Sequence, residues 1–334
     1  MQLTRAFTLG LMTLASPTFA DEVNVYSHRQ PELVQPLFDA FTAETGIDVN
    51  VAYVDKGMVE RLVAEGDRSP ADLVLTVDIA RLLQVVDAGV TQAVTSEVLL
   101  ANIPAEYRDP ANQWFGLSTR ARIIYASQDR IKDGEVTTYE DLADPKWKGR
   151  ICTRPGTHDY NLGLMAAMIA HHDAAFAKTW AEGVKANLAH KPEGNDTSQV
   201  KSIWAGECDI SLGNTYYMGQ MLADAEQKQW AESVRIIYPT FENGGTHVNV
   251  SGMAMTKAAP NKAAALKLME FLASDAAQKI YAETNHEFPV KPGVEQSALV
   301  QSWGPFSADT VSLTEIAKLR GTALKLMEEV DFDG

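Results

Sequence analysis

Four segments near the amino terminus decide the fold class: VNVYS at 23–27, PELVQPLFDAFTAETG at 31–46, IDVNVAYV at 47–54 and ADLVLTVDIARLLQVVDAG at 71–89. Val23 and Val25 alternate with Asn24 and Tyr26 in the manner of a strand. Leu33, Val34, Leu37, Phe38 and Phe41 then recur at helical spacing. Pro31 suits a first helical turn and Gly46 a carboxy-terminal stop. Pro36 falls early inside that helix and would kink its start or move it later. Ile47, Val49, Val51 and Tyr53 alternate as a second strand, and a helix is expected around Val59 to Ala64. An apolar strand ending at Asp78 and the helix IARLLQVVDAG complete a β-α-β-α-β-α run. Such alternation implies an α/β fold whose sheet is mainly parallel and covered by helices.

The rest of the chain continues the pattern. ARIIYAS (121–127) and GRICTRPG (149–156) read as strands and DYNLGLMAAMIAHH (159–172) as a helix. GECDISLGNTYYMGQMLADA (206–225) reads as strand, turn and helix. A glycine turn at Gly244-Gly245 precedes the strand HVNVSGMAMT (247–256). Thereafter NKAAALKLMEFLASDAAQKIYAET (261–284) puts Ala264, Leu268, Phe271 and Leu272 on one helical face. With no low-complexity linker, two lobes must exchange chain along strands, and the expected crossings are at 118–125 and 248–255.

The 334 residues suit about two domains. The first twenty read as an export signal: Arg5, a short apolar run from Ala6 to Ser16, and Thr18-Phe19-Ala20 before Asp21. Cleavage is expected after Ala20, although Thr18 is larger than usual three residues before a cut. No cysteine follows to carry a lipid, and no later segment has the length of a membrane helix. The net charge of −15 argues against nucleic acid and anionic membranes as partners. The two cysteines, Cys152 and Cys208, fit one disulfide in an oxidising compartment, stabilising by roughly 4 kcal/mol in the chain-entropy model. A thiolate metal site would need closer spacing.

The chain contains no GxSxG elbow, HExxH, P-loop or GxGxxG opening a helix. The informative stretch is LGNTYYMGQ, where Asn214-Thr215 precedes Tyr216 and Tyr217 at a helix start, with either as the cap. Tyr160 likewise follows a capping candidate, Asp159. The partial positive charge of a helix amino terminus should depress a phenol's pKa. Ionising a phenol at neutral pH costs roughly 4 kcal/mol, and three cost about 12, so only a strongly Lewis-acidic cation displaces the protons. Calcium and magnesium favour carboxylates and water, zinc favours thiolate and imidazole, and ferric ion matches three phenolates in hardness and charge. Against this, tyrosines often only pack in cores, and neighbours on a helix point about 100° apart.

Taken together, VNVYSHRQPELVQPLFDAFTAETGI, SPADLVLTVDIARL, GLSTRARIIYAS, TYEDLADPKWKGRI, GNTYYMGQ and VNVSGMAMTKAAPN resemble the periplasmic ferric-ion-binding proteins of iron ABC transporters over nearly the whole mature chain. The resemblance implies a type 2 periplasmic-binding-protein fold joined by hinge strands. The amino-terminal lobe would be 21–119 with about 250–275, the carboxy-terminal lobe 120–249, and 276–334 would be helices packing across both. It implies Fe(3+) held between the lobes by Tyr160, Tyr216 and Tyr217, with Arg120, and after it Arg122, beside the metal or a synergistic carbonate. In the first lobe the loop YSHRQP departs from the family pattern. His28 stands one or two places early, Gln30 and Pro31 occupy the usual ligand positions, and Val77 replaces a glutamate, with Asp78 left to cap the next helix. His28 is the first-lobe ligand candidate, and carbonate or water would fill the other positions.

The resemblance further implies a monomeric periplasmic carrier that closes on iron and docks to a membrane permease, without catalysis. His158, two residues before Tyr160, could hydrogen-bond the site, His171 and His172 are expected at the surface at a helix end, and Trp204 and Trp230 read as core or interface aromatics. The same scaffold can instead hold a small anion at helix amino termini or a polyamine against tyrosine rings. An extracytoplasmic hydrolase or lyase is the reading from another class.

Overall fold

The computed structural model describes residues 21–54 and 56–334; the segment read as an export signal, 1–20, lies outside the described residues. Ten strands are present among those residues: β1 (Glu22–Ser27), β2 (Asp48–Tyr53), β3 (Leu73–Thr76), β4 (Thr91–Gln92), β5 (Phe115–Ser127), β6 (Ile151–Cys152), β7 (Ile210–Asn214), β8 (Val234–Ile237), β9 (Val248–Thr256) and β10 (Phe288–Pro289). They form a continuous path β2-β1-β3-β9-β5-β7-β6, with β4 against β9 and both β8 and β10 against β5.

The amino-terminal end of this path is parallel, β1 lying between β2 and β3. Its residues alternate between two cores. Val23, Val25, Leu73 and Leu75 face the helix Pro31–Thr45 and the helix Lys262–Leu272, whereas Tyr26 and Val74 face the helices Met58–Glu65 and Ile79–Asp87. A sheet covered on both faces has to be apolar on both, which is why LVLT is buried at every position. The helix Pro31–Thr45 carries Pro31 in its first turn, tolerates Pro36 inside, and ends on Gly46 at φ +71°. That left-handed stop is the conformation glycine adopts most cheaply.

β5 and β9 join the halves. They pair antiparallel from Phe115 opposite Met253 to Ala121 opposite Val248. Beyond Ala121, β5 leaves β9 and pairs with β7 and β8. Phe115 and Leu117 accordingly lie in the first-half core, while Ile123, Ile124 and Tyr125 lie in the second. The crossing strands run antiparallel to their neighbours, so among the described strands parallel ladders are confined to β2-β1-β3 and β6-β7. Cys152 on β6 and Cys208 before β7 form the disulfide, Cα atoms 5.8 Å apart.

The carboxy-terminal stretch passes repeatedly between the halves. Ala277 and Tyr281 pack with the first core, Phe288 and Val300 with the second, Leu313 with the first, and Ile316 and Met327 with the second. The helical stretch after 261 is two helices, Lys262–Leu272 and Asp275–Thr284. Ser274 breaks it, its hydroxyl accepting from Ala277 N at 3.3 Å. His171 and His172, expected at the surface, are instead tucked in: His171 Nε2 is 2.8 Å from Asp309 and His172 Nε2 is 2.8 Å from Glu140. Tertiary carboxylates drew them inward. Trp204, expected in a core or interface, is 45% exposed, while Trp230 is partly buried against the second core.

Candidate metal centre

β7 delivers the tyrosine pair. Its last residue, Asn214, is held from three directions, and the next residue, Thr215, from a fourth. The backbone N–H donates to Asp196 Oδ2 at 2.9 Å and the carbonyl accepts from Tyr125 Oη at 2.7 Å. The side-chain oxygen accepts from Arg122 at 3.2 Å, and Thr215 N donates to Ala121 O at 3.2 Å. The helix Tyr216–Ala223 therefore starts from a fixed point, without the side-chain cap expected of Asn214 or Thr215. Asn214 serves Arg122 instead.

Tyr160 enters from the helix Asp159–His171. The cap is His158, whose Nδ1 accepts from Tyr160 N at 3.2 Å, and not Asp159. Asp159 is engaged elsewhere, accepting from Arg81 at 2.9 Å and Arg320 at 2.6 Å. His158 also sets its ring edge-on to Tyr160, centroids 4.7 Å apart. Burial, and secondarily Arg154, push its pKa down to about 4, so it stays a neutral acceptor.

The Tyr160 and Tyr216 hydroxyls lie 3.1 Å apart. The Tyr216 and Tyr217 rings lie 4.4 Å apart at 31°, so the divergence expected of helical neighbours does not separate them: both line the same cavity. That cavity, about 210 Å³, is also bordered by His28, Arg29, Arg120, Arg154, His158 and Glu287. It thus brings His28 and Arg120 to the three tyrosines. Arg122 does not border it; it is buried behind Tyr160, donating to Asp196 at 3.0 Å and Asn161 at 2.6 Å. Gln30 and Val77 are at the wall, and Asp78 caps the next helix by accepting from Arg81 N at 2.9 Å.

The electrostatics reverse one sequence expectation. Helix amino termini were expected to ease ionisation, yet the Tyr216 phenol is held well above its ordinary pKa, first by burial and then by the neighbouring Tyr160 and Tyr217. Burial and Asp196 push Tyr217 up too. Loss of hydration and crowding of like groups outweigh the dipole of a short helix. Tyr216 and Tyr217 are therefore protonated at neutral pH, and whatever ionises them must carry concentrated positive charge.

Sequence reasoning passed over Arg29, Arg154 and Glu287. Arg29 donates to Glu287 Oε1 at 2.9 Å and also to Ser251. Arg154 donates to Asp196 Oδ1 at 3.2 Å, and its guanidinium lies 4.9 Å over the Tyr160 ring. Arg29 follows His28 directly, which was a usable signal; Glu287 lies 258 residues from its partner and carried none. Buried Nε donors of Arg29, Arg120 and Arg154 lack an acceptor among the described residues. Among those residues no cluster of three or more His, Cys, Asp or Glu side chains is arranged to hold a metal, and no helix is long and apolar enough to cross a membrane.

Comparison with known proteins agrees with this fold. Residues 36–308 match the family model described as bacterial extracellular solute-binding protein. The chain is 43% identical over 318 residues to iron uptake protein A1 of Synechocystis, covering 94% of this chain and 88% of that one. The structure of apo ferric ion-binding protein A from Pasteurella haemolytica superposes with a TM-score of 0.91 at 52% identity, covering 94% of this chain and 99% of that chain. That of Trichodesmium IdiA (FutA), in complex with iron and citrate, superposes with a TM-score of 0.88 at 41% identity, covering 93% and 99%. The chain belongs to the family of bacterial extracellular solute-binding proteins.

Proposed function

We propose that the protein captures ferric ion between its lobes and delivers it to a membrane ABC permease. The observation that carries this reading is the convergence of Tyr160, Tyr216 and Tyr217 in one cavity. Buried phenols, with Tyr216 and Tyr217 held above their ordinary pKa, are poor ligands for ordinary divalent ions. A trivalent hard cation repels their protons and leaves three phenolate charges to balance its own. Tyr160, Tyr216 and Tyr217 are the metal ligands, and His28 is the first-lobe ligand. The carrier works as a monomer in the periplasm after removal of residues 1–20, and opening of the hinge releases the metal.

Arg120 is the anion partner of the site. It is buried, donates to Ser251 Oγ at 3.2 Å, and keeps an Nε donor without an acceptor among the described residues. Once three phenolates neutralise the iron, a guanidinium beside it favours a synergistic carbonate or carboxylate in the positions that Gln30 and Val77 leave uncoordinated. Arg122, committed to Asp196, supports Asn214 and Tyr160 rather than the anion. The arginines also favour a metal-free anion as the alternative cargo and disfavour a polyamine.

Ferric ion added to the purified metal-free protein should produce a visible phenolate-to-iron charge-transfer band. Tyr216→Phe and Tyr217→Phe should each abolish or displace it. A protein that stays colourless and binds sulfate or a phosphonate instead would sink the ferric reading in favour of the anion one.

A further inference from the structure

Gly219 occupies the fourth position of the helix Tyr216–Ala223, where glycine costs about 1 kcal/mol relative to alanine. The reason lies across the hinge. A methyl group at Gly219 would stand 2.0 Å from His286 Cδ2 and 2.4 Å from Cγ. His286 adopts a left-handed backbone, φ +55°, a conformation that non-glycine residues seldom take. The residues on either side hold it there. Asn285 Nδ2 donates to Leu33 O at 2.9 Å, at the start of the helix that follows the His28 loop. Glu287 accepts from Arg29 at 2.9 Å and from Ser118 on β5. Phe288 and Pro289 then pair with β5 at Thr119 and Ser118.

The tripeptide thus touches both halves of the cavity: Asn285 and Glu287 hold the His28–Arg29 side, and His286 abuts the tyrosine helix two residues beyond Tyr217. We propose that Asn285-His286-Glu287 is a spacer that sets the separation between the tyrosine helix and the His28 loop, with His286 and Gly219 as positioning residues for the metal. This rests on the ferric reading of the site. Carbon atoms in contact sit about 3.5–4.0 Å apart, so a Cβ at Gly219 requires a displacement of roughly 1.5 Å. Metal ligands tolerate only about 0.2 Å. None of the three residues is a ligand; they act through the placement of Tyr216, Tyr217 and His28.

The test compares the mature protein with Gly219→Ala, His286→Gly and the double variant, each titrated with ferric nitrilotriacetate. Glycine at 286 keeps the left-handed backbone while removing the ring. Gly219→Ala should displace the charge-transfer band and weaken ferric affinity by about tenfold or more, the scale of a lost supporting contact, with the thermal midpoint of the metal-free protein retained. The double variant should recover much of that loss. His286→Gly alone should weaken binding, and it supplies the answer if Gly219→Ala does not fold. Wild-type band and affinity in Gly219→Ala, or in His286→Gly if that is the variant that folds, would overturn the spacer, as would a double variant no better than Gly219→Ala. A colourless wild-type protein would sink the ferric reading alone. The spacer is then read without metal, from spin labels at Gln35→Cys and Gln220→Cys. Their separation should lengthen in Gly219→Ala and return in the double variant; an unchanged separation overturns the proposal.

Discussion

The two walls of the cavity are built differently. The carboxy-terminal wall presents three phenols from two helix starts. Each start is anchored by buried polar contacts: Asn214 to Asp196, Arg122 and Tyr125, and Tyr160 N to His158. The Cys152–Cys208 disulfide ties β6 to the approach of β7 directly behind them. The amino-terminal wall presents one imidazole, His28, on a connection between β1 and the helix Pro31–Thr45, with the guanidinium of Arg29 beside it. The contrast teaches that the candidate ligands are concentrated on the braced wall, while the other wall contributes one imidazole and charge. A metal meeting the open protein should engage the tyrosines first, and the His28 side should complete the site as the lobes approach.

Removing the brace is the largest perturbation of this comparison. Replacing Cys152 and Cys208 together by serine opens a crosslink over 56 residues. It should lower the unfolding free energy by about 4 kcal/mol in denaturant titrations. If the rigid wall is what makes the tyrosines effective, ferric affinity should fall as well; unchanged affinity would show that Asn214 and its partners suffice.

The walls themselves are compared by Tyr160→Phe and His28→Ala. Tyr160→Phe should cost more than the ~10–100-fold typical of supporting residues and should alter the charge-transfer band. His28→Ala should cost about tenfold or less and leave the band in place. Equal losses from both would break the asymmetry.

Acid sharpens the seam between the walls. His247, just before β9, is buried, and burial foremost holds its pKa down to about 4. Unfolded, it titrates near 6.5. Between those values the unfolded chain binds the extra proton, so this stability is fully present above about pH 6.5 and is lost as the pH falls toward 4. The loss should be on the order of 2–3 kcal/mol. The matching part of the pH slope should vanish in His247→Gln, measured by denaturant unfolding across that range.

Smallest of all should be Arg81→Gln. Arg81, on the helix Ile79–Asp87, reaches across to Asp159 beside Tyr160 at 2.9 Å, with part of its side chain exposed. Partly exposed pairs of this kind contribute about 1 kcal/mol or less. Ferric dissociation should quicken a few-fold in stopped-flow release, and a rate unchanged within error would remove the pair from any account of closure.

Much of the fold was legible because its signals are local. The alternation of β1 and β2, the apolar run of β3 and the stop at Gly46 arise from neighbours a few residues apart. The crossings at β5 and β9 were legible too, since α/β segments with no linker between them have to exchange chain along strands. Failures came where a distant partner intervened. His171 and His172 were drawn inward by Asp309 and Glu140, and the cap of the Tyr160 helix passed to His158 because Arg81 and Arg320 took Asp159.

The sequence by itself determined the alternating elements, the oxidising-compartment cysteine pair and the tyrosines as the chemistry to watch, because periodicity and functional-group type are properties of the chain read in order. Only the tertiary structure decided that Tyr160 meets Tyr216 across 56 residues, that burial raises the phenol pKa instead of a helix end lowering it, that Arg122 turns away to Asp196, and that His286 lies against Gly219. Each depends on which distant groups share one small, poorly hydrated space, and that is set when the hinge strands bring the lobes together.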